Sequence, residues 1–556
     1  MIFIPMTFGS CHTSPSTSTA KTDRIGRSRL VLCSALVFAL ALLWSGLRYP
    51  GPLEFIADPD GGYQLAGATA ILGGDHPYSD FREIYGPLTF YASALGQLLS
   101  GNRVIGELAL ACFGYALAYT LLFLLVHHCS ENRVILALCF SVFGLLLIPR
   151  AYKYYIVLFP LLALGAMWRY VQLPSRSRIW QMGFGVTVCG LFRPDFGIYC
   201  FLAGVAAVVF VHRSSPGAWI RRVAGFAAIV FAAASPWLVW MAWRGALGTY
   251  LVSSSIGSLD AAVGLALPLP GFSSINGVLT IPNVRAVVFR LFLAVPTLAA
   301  LVLARRWKRL SQTDRGCLLV TVIMGHLTLL QSMHRSEWGH LLQAIPVSIV
   351  LLAWLSSQVA TGMRKAGTYA HQVTSILSGL TLVMFLIVCL YANDTVATLR
   401  QTSFLSLAQK ISVFSGTRED VLRFGKHADP QNWIVEAVEH VRTHTTPDER
   451  IVALPAFPQI YYLSDRLPAG GQLAVLPGYF ASPADQRRFI EKLKTQDVGE
   501  VIVDAGFTLD SREDRTVGRF ASDVIDYINK AFHPVQRAGP VIIYQPVPAN
   551  SSAAQK

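Results

Sequence analysis

The chain has 556 residues, of which 53% are hydrophobic and only 14% charged, with a formal net charge of +14 and a mean hydropathy of +0.47. A soluble globular protein carries about 25% charged residues, so the composition excludes a wholly soluble chain. Much of the positive excess sits in joints between apolar runs, as in membrane proteins. No basic, aromatic-interleaved groove element accompanies it, which excludes nucleic acid as a partner.

Residues 1–29 form a polar, Ser/Thr-rich tail that turns basic at Lys21, Arg24, Arg27 and Arg29. The apolar run that follows is too long for a signal-peptide core and has no small-residue cleavage site, so it reads as an uncleaved anchor. Membrane spans are expected wherever an apolar run approaches the ~20 residues a helix needs to cross the hydrocarbon. About eleven such runs occur, at residues 30–49, 104–127, 134–149, 155–171, 180–192, 196–211, 223–243, 286–304, 316–331, 341–355 and 373–391. The expected fold class is therefore a polytopic α-helical membrane protein with a C-terminal soluble α/β domain. It divides into a tail (1–29), a transmembrane unit (30–392) with a first external loop (50–103), and an external domain (393–556). No cysteine follows Cys389, so the C-terminal part holds neither a disulfide nor a thiolate metal site.

Threading the spans from a cytoplasmic N-terminus sorts the charges. Arg169, Arg176 and Arg178; Arg213, Arg221 and Arg222; Arg305, Arg306, Lys308 and Arg309; and Arg364 and Lys365 fall in joints on the N-terminal side. The positive-inside rule places these in the cytoplasm and the C-terminal domain outside, with the plasma (inner) membrane as the location. The same threading gathers the remaining polar residues on the opposite side. Asp58, Asp60, Asp80 and Glu83 lie in the first external loop, Arg150 and Lys153 in the second, and Arg193 and Asp195 in the third. Arg335, Glu337 and His340 lie in the fifth. Charges at the ends of apolar helices are costly, and they are functional where they face a shared cavity.

The first loop reads Asp58-Pro-Asp-Gly-Gly-Tyr63, then Gly73-Gly-Asp-His-Pro-Tyr-Ser-Asp80, then Tyr85-Gly-Pro87. Leu65, Ala68, Ile71 and Leu72 have helical spacing, so a helix lying along the membrane surface is expected, ended by Gly73-Gly74. On the bland reading Asp60 caps this helix and Asp80 begins a turn. On the functional reading, acidic groups at the first exit and cations at later exits suit a reaction between an anionic donor and a hydroxyl acceptor. Arg and Lys can stabilise charge developing on phosphate oxygens; the bland alternative is snorkelling to the interface. Asp58, Asp60 and Glu337 could together hold one Mg²⁺ or Mn²⁺ through oxygen ligands, and His340 could donate to phosphate or acceptor. No Walker loop, dinucleotide fingerprint or nucleophile elbow occurs, which favours a lipid-linked donor over a nucleotide sugar.

These motifs resemble the first external loop of the GT-C glycosyltransferases, in the group related to lipid-linked-sugar transferases of the ArnT and protein O-mannosyltransferase type. The resemblance is specific up to about Pro87 and loose beyond it, although the joint His334-Arg-Ser-Glu-Trp-Gly-His340 also matches one before a late span in the group. It implies an inverting transfer of a sugar from a polyprenyl-phosphate donor to a glycan, lipid or protein acceptor on the non-cytoplasmic face. The family's first-loop aspartate, which activates the acceptor or helps place a metal, corresponds to Asp60, with Asp58 and Asp80 as further candidates. Arg150, Lys153, Arg193, Arg335 and His340 would bind the donor phosphate, supported by Glu83, Asp195 and Glu337. Many relatives have Asp-Glu where this chain has Asp60-Gly61, so any role for adjacent carboxylates must come from elsewhere or be absent. A flippase for lipid-linked saccharides is one rival, but transporters place polar sites at the midplane between repeated halves. An O-antigen ligase or polymerase is the other, and those centre on a large late external loop.

Past residue 393 the pattern alternates. Helices are expected over 433–441, 485–493 and 524–532, and strands over 450–454, 501–503 and 541–544, giving a small α/β domain. The aromatics of 455–463 suit core packing better than sugar stacking, and no catalytic constellation stands out in this part.

Overall fold

The structure is a computed structural model that describes residues 17–57, 59–131, 133–150, 152–257, 263–272, 280–364, 369–395, 399, 403–478, 480 and 482–548. Asp58 lies outside the described residues, and so does the side chain of Asp60. Long helices occupy the positions of the apolar runs, because a chain in hydrocarbon must satisfy its backbone polar groups internally. Among the described residues, seven are long and apolar enough to cross a membrane: Ser28–Arg48, Ile105–Cys129, Tyr154–Gln172, Pro194–His212, Pro216–Trp243, Ile281–Arg309 and Gln312–His334. The pair Trp338–Ala344 and Pro346–Val359 passes the same test when taken together, but is bent by 63°, as in a broken span or a re-entrant loop. The bend falls where Pro346 removes a backbone donor and disfavours helical geometry in the residue before it.

Among the described residues a helix stands at each of the about eleven expected positions, although some are short. Val134–Leu146 has 13 residues, about 20 Å at 1.5 Å per residue, against a hydrocarbon core of ~30 Å. Arg176–Phe192 has 17. The break expected at Arg193-Pro194 is present: one helix ends at Phe192, Arg193 is extended (φ −147°, ψ 104°), and Pro194 opens the next, where its missing N–H costs nothing.

The first loop carries the expected helix, Pro59–Leu72, and protein encloses it: Leu65, Ala66, Ala68 and Ala70 are all fully buried. It is covered by the following helix Pro87–Ser100 and by the C-terminal helix Pro458–Ser464. Small residues allow this close approach. A Cβ on Gly62 would lie 2.6 Å from the backbone nitrogen of Gln459. Overpacking of this kind costs about 1–3 kcal/mol. Gly62→Ala should therefore lower the thermal midpoint and expose the joint to limited proteolysis, whereas unchanged melting would mean that the two helices separate readily.

The C-terminal region carries a four-stranded sheet with order β1-β2-β4-β3: β1 (Arg450–Leu454), β2 (Val498–Val503), β3 (Phe532–Ala538) and β4 (Val541–Pro546). The β1–β2 pair is parallel, whereas β4 runs antiparallel to both β2 and β3. Alternation along the strands sends side chains to two faces. Ile451, Ala453, Ile502 and Ile543 join the core shared with the membrane helices. Val452, Leu454, Val501 and Val503 join a second core with Phe489, Leu493, Val524 and Ile528. The helices behind that second core, Pro483–Thr495 and Ser522–Ala531, and a third at Trp433–His444 match the sequence expectation. Tyr461 and Tyr462 are buried, in keeping with core packing. Polar clamps tie the region to the first loop: Arg450 grips both oxygens of Asp75 at 2.8 Å, and Arg82 pairs with Asp485 at 3.2 Å.

Candidate functional site

The segment Tyr85-Gly86-Pro87 is pinned against the end of the Arg176–Phe192 helix. Gly86 N–H donates to the Phe192 carbonyl at 3.1 Å, and the Thr89 hydroxyl donates to the same oxygen at 2.9 Å. A Cβ on Gly86 would fall 2.1 Å from the Leu191 carbonyl oxygen, so this contact requires glycine. It sets the Tyr85 ring beside Arg193, whose guanidinium lies 5.2 Å from the ring centroid. From the second joint, Lys153 reaches the same ring: Nζ donates to the Tyr85 hydroxyl at 2.6 Å and lies 4.5 Å from the centroid. Lys153 is 6% exposed. Burial lowers its pKa, and Arg193 acts in the same direction. Burial would raise the Tyr85 hydroxyl, but the Lys153 and Arg193 charges outweigh it, so its pKa lies below the ordinary value.

Glu83 sits beneath this pair, 1% exposed. Its carboxylate accepts from the Tyr63 hydroxyl at 2.6 Å and from the backbone N–H groups of Ile84 and Tyr85 at 2.8 and 3.1 Å. Burial nonetheless pushes its pKa up to about 7, with the hydrogen bonds and Lys153 acting only in part against it. The native state thus holds a proton that the unfolded chain, with pKa 4.5, has released. The stability this gives is full below 4.5 and is lost as pH rises through about 7. Glu83→Gln can keep all three contacts while staying neutral, so the wild-type melting temperature should fall relative to the variant across that window. Parallel curves would show that Glu83 titrates with its unfolded value.

A second group lies next to it, centred on Glu337. Its Oε1 meets His340 Nδ1 at 2.6 Å and Arg150 at 3.5 Å, and its Oε2 meets Arg335 at 3.3 Å. Burial would raise Glu337, but His340, Arg335 and Arg150 hold its pKa at about 2. The two groups are continuous, since Lys153 and Arg193 act electrostatically on His340. The joints carrying Arg150–Lys153, Arg193–Asp195 and Arg335–His340 thus converge with Tyr85 and Glu83 of the first loop.

Several sequence expectations need correction. With cations on both oxygens, Glu337 is unsuited to share a Mg²⁺ or Mn²⁺ with Asp58 and Asp60. Asp80 has none of this cluster's side chains among its hydrogen-bond and ion-pair partners. Its Oδ2 accepts from His76 N–H at 2.8 Å, the Ser79 hydroxyl at 2.7 Å and Arg244 at 3.2 Å, the contacts of a turn. Arg193 spends its fork on Asp195, at 2.8 and 3.2 Å, and presents its face to Tyr85. Arg335 spends its own on Asp510 of the C-terminal region, at 3.0 and 2.6 Å; Asp510 also binds Arg515. His340 has one ring nitrogen bound to Glu337, so only the other could meet a ligand. Sequence reasoning missed Tyr63, Tyr85, Asp510 and Arg515. Tyr63 and Tyr85 both lay inside noted motifs, but nothing in the sequence marks a ring that two cations will share.

The arrangement gathers the cations Lys153 and Arg193 around Tyr85 and sets Arg150 against Glu337, with ionisable oxygens alongside. No family model matches the chain, and no curated protein matches it. Among solved structures, the chain is similar to ArnT from Cupriavidus metallidurans in its apo state, with 13% identity and a TM-score of 0.45 over 96% of this chain and 99% of that one. It is also similar to the same protein bound to undecaprenyl phosphate, with 12% identity and a TM-score of 0.48 over 94% of this chain and 98% of that one.

Proposed function

We propose that the chain is a membrane glycosyltransferase that moves a sugar from a polyprenyl-phosphate carrier to a glycan, lipid or protein acceptor. The supporting observation is the pair of buried Lys153 and half-buried Arg193 around Tyr85, at the convergence of three helix joints and the first loop. In an inverting transfer the acceptor oxygen bonds to the anomeric carbon as that carbon's bond to the phosphate oxygen breaks. The electron pair leaves with the phosphate, and the acceptor's proton passes to a base. Fixed cations in a water-poor site stabilise the departing phosphate more than water could. Lys153, Arg193 and Arg150 take that role, and Asp60, with Asp58 behind it, takes the proton. Arg335 acts at one remove, tying the late joint to Asp510.

The orientation that suits a lipid-linked donor places the N-terminus in the cytoplasm and the C-terminal region outside, as the basic joints imply. Alkaline phosphatase fused after Lys556 should then be active. The reaction itself is tested with purified protein in vesicles containing a labelled polyprenyl-phosphate sugar and an extract of acceptors. Label should leave the lipid phosphate for a new product. Label that crosses the bilayer still on its carrier would favour the flippase reading and sink this one.

A further inference from the structure

The C-terminal region holds a second cluster, far in sequence from the joints described above. His440 and His444 lie four apart on the Trp433–His444 helix, so they share a face, and their rings stack at 4.0 Å between centroids. Glu500 of β2 faces them. His440 Nε2 lies 3.1 Å from Glu500 Oε1, and the available ligand atoms of all three residues lie within 4.8 Å of one another.

We propose that His440, His444 and Glu500 form a Zn²⁺ site. The Glu500 side chain is 0% exposed, and its Oε2 has no hydrogen-bond partner among the described residues. Leaving a buried carboxylate oxygen unmet is costly, and a bound cation removes that cost. The surroundings also prepare each donor. His444 Nδ1 is 2.9 Å from the His440 carbonyl oxygen; donating there fixes the tautomer whose Nε2 lone pair is free for a metal. Gln545 Nε2 donates to Glu500 Oε1 at 2.9 Å and orients the carboxylate. Such outer contacts typically accompany metal ligands. Two imidazoles and one carboxylate are a zinc donor set, and three protein ligands leave a coordination position open. His444 is exposed, which gives the ion a route from solvent. The bond network would fasten the end of the Trp433–His444 helix to β2, stabilising the C-terminal region independently of the transfer reaction.

The test uses the full chain in detergent, purified without a polyhistidine tag and stripped with chelator. Zinc added back should bind at one equivalent, measured by elemental analysis after desalting, and should raise the melting temperature. His444→Ala, a change at an exposed position, should abolish both effects. Gln545→Ala should weaken zinc binding by roughly 10–100-fold. Cobalt in place of zinc should give the visible absorption of a low-coordinate nitrogen–oxygen site in wild type and not in Glu500→Gln. Absence of stoichiometric zinc in the wild-type chain would overturn the proposal, as would binding undiminished by His444→Ala.

Discussion

Replacing Arg193 with alanine should reduce sugar transfer by about 10²–10³-fold, the loss typical when one fixed donor to a developing oxyanion is removed. Lys153→Met should do the same. The two cations share one ring, so the double variant should lose less than the product of the single losses. Arg193→Lys should recover only part of the activity: an ammonium keeps the charge but cannot hold Asp195 with two bonds and lie flat near Tyr85. Folding must be separated from chemistry, because removing Arg193 strips Asp195 of its bidentate partner. Arg193→Ala combined with Asp195→Asn removes that unpaired charge. If the loss is catalytic, the double change restores the melting temperature without restoring transfer. Wild-type turnover in both Arg193→Ala and Lys153→Met would show that the pair only supports the joint and that the donor phosphate binds elsewhere.

The helices and their charged exits were legible in the sequence for one physical reason. An apolar run long enough to enter a bilayer has few alternatives, and a charge at its end stands out because it is expensive there. Arg193-Pro194 marked its own break, since proline fixes the geometry on both sides. The partners of those charges were not legible. Asp510 lies 175 residues from Arg335, and only the docking of the C-terminal region onto the late joint brings them together. The burial of the Pro59–Leu72 helix had a signal that helical spacing alone underweights: Gly61, Gly62, Ala66, Gly67, Ala68 and Ala70 are the small residues that let helices approach closely. Strand β3 escaped because Phe532–Ala538 is polar and contains Pro534. That is the pattern of an edge strand, and β3 stands at the end of the sheet order.

Docking of the C-terminal region also changes how Arg335 should be understood. A cation at a helix exit that is paired with two carboxylates, Glu337 and Asp510, is a bridge. Through Glu337 it meets Arg150 and His340, so one connected set of charges links the C-terminal region to the second joint. On this view the region sets the position of the late joint, and Asp510 acts at a distance from the reacting atoms.

Asp60→Asn should reduce transfer by about 10²–10⁴-fold, the usual contribution of a positioned base, while expression and membrane insertion stay normal. Asp60 falls in the first turn of the Pro59–Leu72 helix, where a carboxylate also interacts favourably with the helix dipole, worth about 0.3–1 kcal/mol. That structural share is too small to unfold a helix buried between Pro87–Ser100 and Pro458–Ser464. Asparagine keeps the size and hydrogen-bonding reach of the side chain but cannot accept the acceptor's proton, so the variant separates base from structural residue. Asp58→Asn tests the neighbouring carboxylate two positions upstream. Asp80→Asn is the control, because its oxygen is committed to His76, Ser79 and Arg244; that variant should transfer at close to the wild-type rate. Transfer from purified polyprenyl-phosphate sugar is measured for all three, with and without chelator. A dead Asp58→Asn beside an active Asp60→Asn would move the base two residues upstream. Full activity in both would leave the acceptor's proton to a group outside this turn, and the proposed roles of Asp58 and Asp60 would fall.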